Sequence, residues 1–182
     1  DDTSIYMKKK PGWKMIGQYM MGELLGEGSQ GKVKEAIHEN SLRRVAIKII
    51  NLRQLRKKVR NGEAPPEEIL KRELSIHRRL KHTNVVELIE HFIIEEKQKL
   101  YAVLEYAPGG SLQDLADSMP DGTLPLSTAS FIMRQLFVSL EYCHCKGVSR
   151  PRANRWRTLV RAARLSLPIP HAADGGRSST AT

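Results

Sequence analysis

The chain has 182 residues, of which 40% are hydrophobic and 27% are charged, a composition that excludes a wholly disordered polypeptide and fits one domain. No run of about 18 apolar residues is present, so the sequence predicts no membrane-spanning helix. The net charge of +10 would suggest a nucleic-acid partner, but more than half of the excess lies in residues 149–182, so nucleic acid is not favoured.

The first 15 residues form a basic arm, in which the run from Lys8 to Lys14 has the composition of a nuclear import signal or of a solvated terminus. No charged-then-apolar leader with a small-residue cleavage site is visible. Cys143 and Cys145 match neither a disulfide framework nor a zinc-ligand spacing, so we expect two reduced thiols. These features predict a protein of the cytoplasm and nucleus.

Residues 18–50 are predicted to form three strands, joined by a glycine-rich turn and then by a polar turn. The first turn has the spacing Gly26-x-Gly28-x-x-Gly31. The residues after it alternate as a strand, whereas a dinucleotide-binding fingerprint requires a helix at that point. A glycine-rich hairpin lets backbone N–H groups approach phosphates without a Cβ in the way. A tight hairpin without a ligand is the alternative reading.

Two charged residues interrupt apolar surfaces in the next segments. Lys48 is the one charge in a predicted interior strand. Glu73 lies in the apolar stripe of a helix predicted from Pro65 to about Leu80, together with Ile69, Ile76 and Leu80. A buried, unpaired ammonium costs several kcal/mol, so Lys48 requires a partner or an anionic ligand. Alone, Glu73 could be a boundary residue that reaches water. Together, the two charges predict an ion pair that presents Lys48 to phosphate.

The second half of the chain is predicted to contain two more strands, at 85–94 and 100–105, and two helices. The short helix starts at Ser111, and the longer one runs from an N-cap at Ser127 to about Lys146, with Gly147 as its stop. The tail at 149–182 has no sustained period and is predicted to be disordered.

These segments together resemble the small lobe of a eukaryotic protein kinase. The residues that carry the resemblance are Leu25-Gly26-Glu27-Gly28-Ser29-Gln30-Gly31-Lys32-Val33, Val45-Ala46-Ile47-Lys48 and Glu73. The kinase hinge has its counterpart in Leu104-Glu105-Tyr106-Ala107 and Gly109-Gly110-Ser111-Leu112. Within the family, residues 15–148 resemble the liver kinase B group of Ser/Thr kinases. That narrower resemblance also draws on Asn61-Gly62-Glu63-Ala64 and Glu95-Glu96-Lys97-Gln98-Lys99.

The resemblance implies an α+β fold in which residues 16–106 form a small lobe with a five-stranded antiparallel sheet and one helix. Residues 107–148 would be the hinge and the first, incomplete large-lobe helices, and residues 149–182 a disordered Arg-rich tail outside the kinase domain. It also implies ATP as the bound cofactor, with Mg²⁺ expected in the family. The site residues that it implies are Leu25, Gly26, Glu27, Gly28, Ser29, Gln30, Gly31, Val33, Ala46, Lys48, Glu73, Leu104, Glu105 and Ala107.

Each of these residues has an implied role. The glycine-rich segment would cover the nucleotide, Lys48 would contact the α- and β-phosphates, and Glu73 would hold Lys48. The adenine would be walled by Leu25, Val33, Ala46 and Leu104, and its edge would bond to the backbone of Glu105 and Ala107. Gln30 departs from the family pattern, which has an aromatic or small residue at the tip of the loop.

After Val148 the resemblance stops. The sequence contains no His-Arg-Asp, Asp-Phe-Gly or Ala-Pro-Glu, so the catalytic aspartate and the Mg²⁺ ligands have no counterparts, and no catalytic or metal-binding residue is predicted. We therefore expect an inactive chain, truncated before the catalytic loop, for instance by reading past a splice junction or out of frame. The stripe Ile132, Leu136, Leu140 and Cys143 of the longer helix, which a large lobe would cover, is expected to be exposed. The helix is therefore expected to dock poorly or to promote association.

Two other functions remain open on the sequence alone. The first is a non-enzymatic interaction module, because the resemblance implies docking to a pseudokinase adaptor and its scaffold protein. The second is an Arg-rich arm that touches nucleic-acid phosphate, for which a chance basic tail is the favoured alternative.

Overall fold

The computed structural model describes residues 14–28, 31–57, 65–119 and 121–148. The strands are β1 (Lys14–Ile16), β2 (Tyr19–Gly28), β3 (Gly31–His38), β4 (Arg44–Asn51), β5 (Leu88–Ile94) and β6 (Lys99–Glu105). The helices are α1 (Leu52–Lys57), α2 (Pro66–Arg78), α3 (Leu112–Asp117) and α4 (Leu126–Cys145), with a 3₁₀ turn at Glu95–Lys97. The segment 1–13, the loop tip at 29–30, residues 58–64 and the tail at 149–182 lie outside the described residues, as do the predictions made for them.

All strand pairs are antiparallel, and the strands lie in the order β1-β2-β3-β4-β6-β5. The predicted α+β class and small-lobe sheet are confirmed, with one strand more than the five expected. The extra strand, β1, pairs with β2 over three residues across a turn at Gly17, whose φ is +58°. Three residues are too few to produce a recognisable alternation in the sequence.

Helix α1 is not among the elements predicted from the sequence. Its Arg, Lys, Gln and Leu residues are good helix formers, and Leu52 is its one buried side chain. Arg56 of α1 forms a salt bridge with Glu67 in the first turn of α2. The hydrogen bond from Arg56 lowers the pKa of the Glu67 carboxyl, so this contact holds the two helices together most strongly when the carboxyl is ionised.

Two apolar clusters lie on opposite faces of the sheet because successive side chains of a strand point to opposite sides. The inner cluster contains Ile16, Tyr19, Met21, Ala36, Val45, Ile47, Tyr101 and Val103. The outer cluster contains Ile50, Leu52, Leu74, Leu88, Leu100 and Ala102. Leu74 comes from α2, so this helix covers the outer face, and its buried residues are Leu74 and His77. The predicted stripe is confirmed in part, since its residue Leu80 is buried, whereas Ile69 and Ile76 are only half-buried.

The sheet curls around the inner cluster until β2 approaches the far edge strand, β5. The Tyr19 hydroxyl donates a 2.6 Å hydrogen bond to the Glu90 carboxylate, and the rings of Tyr19 and Phe92 stack at 6.3 Å. Burial raises the pKa of the Tyr19 hydroxyl, and the bond to Glu90 raises it further. Because β2 and β5 are separated by three strands, these contacts are possible only in a strongly curled sheet.

Helix α4 begins at Leu126, one residue before the predicted N-cap. The cap position is Pro125, whose fixed φ of −52° suits a helix start. The buried residues of α4 are Ile132, Ser139 and Cys143. The expectation of an exposed stripe through Ile132 and Cys143 was therefore wrong, since the periodicity of a helix identifies a face without fixing the direction in which it points.

The loop between α2 and β5 is the docking surface for α4. Cys143 packs with Leu80 and Val85, the Lys81 backbone N–H donates to the Tyr142 hydroxyl at 2.9 Å, and the rings of His82 and Tyr142 stack at 4.9 Å. The exposed large hydrophobic side chains of α4 are Leu126, Phe131, Met133, Phe137 and Val138. Helix α4 is thus attached by one face, contrary to the expectation of poor docking, and its other face carries the apolar exposure.

Several other predictions for the second half are confirmed, although the strand predicted at 85–94 begins only at Leu88. Ser111 caps α3 in a capping box with Asp114, and Gly147 follows α4 with a φ of +77°. Cys143 is buried and Cys145 is exposed, and both are free thiols. No helix in the described residues is long and apolar enough to cross a membrane.

Candidate functional site

The glycine-rich segment is a β-hairpin between β2 and β3, as the alternating sequence after it predicted. Gly26 pairs with Val33, Glu27 with Lys32, and Gly28 with Gly31. Glu27 and Lys32 also form a 3.0 Å salt bridge, but both side chains are more than half exposed, so its contribution is small. Ser29 and Gln30, at the tip, are outside the described residues.

The three glycines of this hairpin have different environments. Gly31 has a φ of +135°, and a Cβ added there would lie 2.0 Å from the carbonyl oxygen of Ile49 on β4. A Cβ added at Gly26 or at Gly28 would have no described atom within 4 Å. Gly31 is thus required by the packing of β3 on β4, whereas Gly26 and Gly28 leave a surface on which a ligand could contact the backbone directly.

A bulge in β2 places Leu25 at the base of the hairpin. Leu24 pairs with Lys34 and Gly26 pairs with Val33, so Leu25 is the additional residue on the β2 side. The side chains of Leu24 and Leu25 are 50% and 45% exposed. Leu25 is therefore an apolar side chain that a bound ring could cover.

Strand register brings four of the predicted site residues onto the outer face of the sheet. Val33 lies opposite Lys48, which lies opposite Ala102, and Ala46 lies opposite Leu104. Residues directly opposite one another in an antiparallel pair point to the same side. Ala102 belongs to the outer cluster, and Leu104 packs against it. The face therefore has an apolar part at Val33, Ala46 and Leu104 and a cationic part at Lys48.

Helix α2 connects this face to Glu73. Glu73 is half-buried, next to Leu74, which packs in the outer cluster, and one turn before His77. Burial is the largest cause that lowers the His77 pKa, and the positive charge of Lys48 lowers it further. The ion pair between Lys48 and Glu73 stays a prediction.

His77 is a buried polar residue to which the sequence analysis gave no role. Its side chain is 8% exposed, and its Nε2–H donates a 2.9 Å hydrogen bond to the Val86 carbonyl. Burial lowers the pKa of the imidazole below its usual range, and the bond to Val86 opposes this shift in part. The sequence feature that could have drawn attention to His77 is its position one helical turn after Glu73. Many histidines lie one turn from an acidic residue, so this spacing does not identify a functional residue.

The hinge residues follow directly from β6. Glu105 pairs with Val45 at the end of the strand, and its backbone N–H donates a 3.0 Å bond to the Glu87 carbonyl. That N–H is therefore engaged within the sheet, between β6 and the residue before β5. Ala107, two residues later, is exposed, as a backbone donor to a ligand needs to be.

A polar cluster near the hinge was not foreseen. Arg44 contacts Glu35 on β3 and Tyr106 in the hinge, and the latter contact joins residues 62 positions apart. Sequence periodicity relates residues within one helix or strand, so it could not predict a contact between residues this far apart in the chain. Within the described ranges, no three His, Cys, Asp or Glu side chains are grouped so that they could hold a metal ion.

A family model described as "Protein kinase domain" matches residues 19–150. Serine/threonine-protein kinase STK11 of Rattus norvegicus is 44% identical over 144 residues, which cover 79% of this chain and 32% of that protein. The Homo sapiens protein of the same name is 43% identical over 144 residues, with coverages of 79% and 32%.

A more distant relative gives a similar alignment. The stk11 homolog of Dictyostelium discoideum is 41% identical over 148 residues, which cover 81% of this chain and 24% of the homolog. The chain therefore spans about a quarter to a third of the length of the curated relatives it matches.

Proposed function

The chain belongs to the protein kinase family, and on that premise we propose that its described residues are the ATP-binding part of a Ser/Thr protein kinase. The observation that carries the proposal is the strand register. It supports a single surface with an apolar base-binding part at Val33, Ala46 and Leu104 and a cation, Lys48, at the end nearest the glycine hairpin.

The residues of this surface fit ATP. The backbone at Gly26 and Gly28 would lie over the phosphates, since no described atom occupies the space of a Cβ there. Lys48, positioned by Glu73, would bind the α- and β-phosphates, and Leu25 would complete the apolar walls around adenine. The Glu105 carbonyl and the Ala107 N–H would bond the edge of the base. ATP supplies the γ-phosphoryl group that the family transfers to protein Ser or Thr.

We further propose that these 182 residues bind ATP without transferring its phosphoryl group. The sequence has no His-Arg-Asp and no Asp-Phe-Gly, the segments that supply the catalytic aspartate and the Mg²⁺ ligands in kinases. Positioned metal ions and an aspartate that accepts the substrate's proton account for most of phosphoryl-transfer catalysis. An incubation with radiolabelled ATP and a generic protein substrate is expected to show no transfer above background.

Calorimetric titration of the 182-residue chain with ATP tests the binding proposal. The Lys48→Met variant is expected to lose affinity by about tenfold or more, because a hydrogen bond to a charged group contributes about 1.5–3 kcal/mol. Lys34→Met is the matched control, since Lys34 lies opposite Ile47 of the inner cluster, on the other face of the sheet. Absence of ATP binding to the unmodified chain, or an equal loss in both variants, would refute the proposal.

A second candidate function is a non-enzymatic interaction module. The observation in its favour is the exposed apolar face of α4, where Phe137 is 60% exposed and which is available to a protein partner. The family resemblance suggests a pseudokinase adaptor and its scaffold protein as partners, in the cytoplasm and nucleus. A pull-down of these two purified proteins with and without ATP separates the candidates, because capture that is independent of nucleotide supports the interaction module.

A further inference from the structure

Three side chains from separate parts of the chain meet beside the hinge. Arg44 at the start of β4 donates from Nε to the Glu35 carboxylate of β3 at 2.7 Å. Its Nη2 donates to the Tyr106 hydroxyl at 3.2 Å, and its guanidinium carbon lies 4.4 Å from the centroid of the Tyr106 ring. We name Glu35, Arg44 and Tyr106 the hinge clamp.

The hinge clamp lies on the same face as the proposed nucleotide site. Arg44, Ala46 and Lys48 alternate along β4, so their side chains point to one side of the sheet. Glu35 lies opposite Ala46, and Ala46 lies opposite Leu104. Because a strand rises about 3.4 Å per residue, Arg44 and Lys48 are about 14 Å apart along β4. The two cations therefore flank the apolar part of the face, with Lys48 at the hairpin end and Arg44 at the hinge end.

The hinge clamp is partly buried, which indicates that the Arg44 side chain has a defined position. The Glu35 side chain is only 12% exposed, while that of Arg44 is 37% exposed. A nearly buried carboxylate requires its hydrogen-bond partner, so Glu35 fixes the guanidinium in one orientation. The planar guanidinium can then hold the Tyr106 ring by stacking and by a hydrogen bond at once. The ring is thereby attached to both β3 and β4.

Tyr106 lies between the two residues whose backbone is proposed to bond the base. Fixing its side chain fixes the position of the Glu105 carbonyl and the Ala107 N–H relative to Ala46 and Leu104. Resting on the proposed function, we propose that Arg44 is a positioning residue for the adenine of ATP, which acts through Tyr106 and does not contact the phosphates. Arg44 and Lys48 then serve separate parts of one ligand, the base and the phosphates.

Binding of two fragments of ATP tests this assignment on the full chain. Adenosine probes the base site, and inorganic tripolyphosphate probes the phosphate site, each measured by ligand-observed NMR together with ATP itself. Arg44→Gln is expected to weaken adenosine and ATP by about tenfold and to leave tripolyphosphate unchanged, since one charged hydrogen-bonding contact contributes about that factor. Lys48→Met is expected to weaken tripolyphosphate and ATP and to leave adenosine unchanged.

Two control variants refine the result. Arg53→Gln removes an exposed arginine of α1, outside the hinge clamp and the proposed nucleotide site, and is expected to change no affinity. Tyr106→Phe keeps the ring under the guanidinium and loses the 3.2 Å hydrogen bond, so its loss of adenosine affinity should be smaller than that of Arg44→Gln. If Arg44→Gln does not fold, as judged by its thermal melt, Tyr106→Phe and Tyr106→Ala replace it. Tyr106→Ala should then weaken adenosine more than Tyr106→Phe does and leave tripolyphosphate unchanged, and equal adenosine affinity in the two variants would overturn the inference.

The outcomes separate this inference from the proposed function. Equal loss of adenosine and tripolyphosphate affinity in Arg44→Gln would indicate general destabilisation and overturn the inference, as would unchanged adenosine affinity. In both cases ATP binding to the unmodified chain leaves the proposed function intact. If the unmodified chain binds none of the three ligands, the proposed function fails, and the positioning role fails with it.

Discussion

Replacing Gly31 with alanine should destabilise the fold because both the backbone and the packing at this position exclude a side chain. The φ of +135° lies in a region that only glycine adopts readily, and the new Cβ would be 2.0 Å from the Ile49 carbonyl oxygen. Backbone strain of this kind costs about 1–3 kcal/mol, and overpacking costs about 1–3 kcal/mol more. The expected loss of about 2–6 kcal/mol is a large part of the 5–15 kcal/mol by which domains are typically stable.

Urea unfolding followed by circular dichroism measures this loss. With a slope of about 2 kcal/mol per molar urea, the Gly31→Ala midpoint should fall by about 1–3 M. Gly26→Ala is the matched control, because its Cβ meets no described atom within 4 Å and its φ is not positive. It should keep the midpoint or raise it slightly, as removing a glycine restricts the unfolded chain, while the added methyl group weakens ATP binding.

The two variants thus separate a packing role from a ligand-binding role within one motif. Ordinary surface substitutions change the free energy of unfolding by about 0.5 kcal/mol or less. If Gly31→Ala changes it by no more than this, the close approach of β3 and β4 does not exclude a side chain at the cost expected here. An equal midpoint loss in Gly26→Ala would contradict the distinction between the glycines.

Three further predictions address other parts of the fold. Tyr19→Phe removes the bond to Glu90 and should cost about 0.5–1.5 kcal/mol in urea unfolding, and an unchanged midpoint would dismiss its role in closing the sheet. The His77 pKa is lowered in the folded state, so below the ordinary histidine pKa near 6.5 the unfolded chain binds more protons and the protein loses stability as the pH decreases. His77→Leu should reduce this loss of stability between pH 7.5 and 5.5, and an equal loss in both proteins would argue against the assigned role of His77. Ile132→Ala should cost about 2–4 kcal/mol because Ile132 is buried, whereas Phe137→Ala should cost far less and reduce self-association in sedimentation, and the reverse ranking would show that α4 faces the other way.

Strand and hairpin positions in the small lobe were predictable because they depend on local alternation. The residues after Gly31 alternate over a full strand, and Lys48 interrupts an otherwise apolar run, so both could be placed without coordinates. The register that brings Lys48 opposite Val33 then follows from the short hairpin connections. The same register brings three of the four predicted adenine walls, Val33, Ala46 and Leu104, onto one face of the sheet, and their contact with adenine stays a prediction.

The features that the sequence did not predict depend on information beyond one element. Helix α4 has apolar residues on most of its circumference, so its pattern could not decide whether Ile132 or Phe137 is buried. The hinge clamp depends on Arg44 meeting Tyr106 across the fold, and the requirement for Gly31 comes from a carbonyl on a neighbouring strand. A glycine motif in sequence therefore does not indicate which of its members serves packing and which leaves room for a ligand.

The loop at residues 80–85 links helix α2 to helix α4. It continues directly from α2, which carries Glu73 and His77, and it also holds α4 through Tyr142 and Cys143. A change in the position of α2 therefore moves the surface on which α4 packs. We expect the amide protons of α4 to lose protection in step with those of α2 when His77→Leu removes the bond to Val86, since cooperative units exchange together. Loss of protection confined to α2 would show that the two helices open independently.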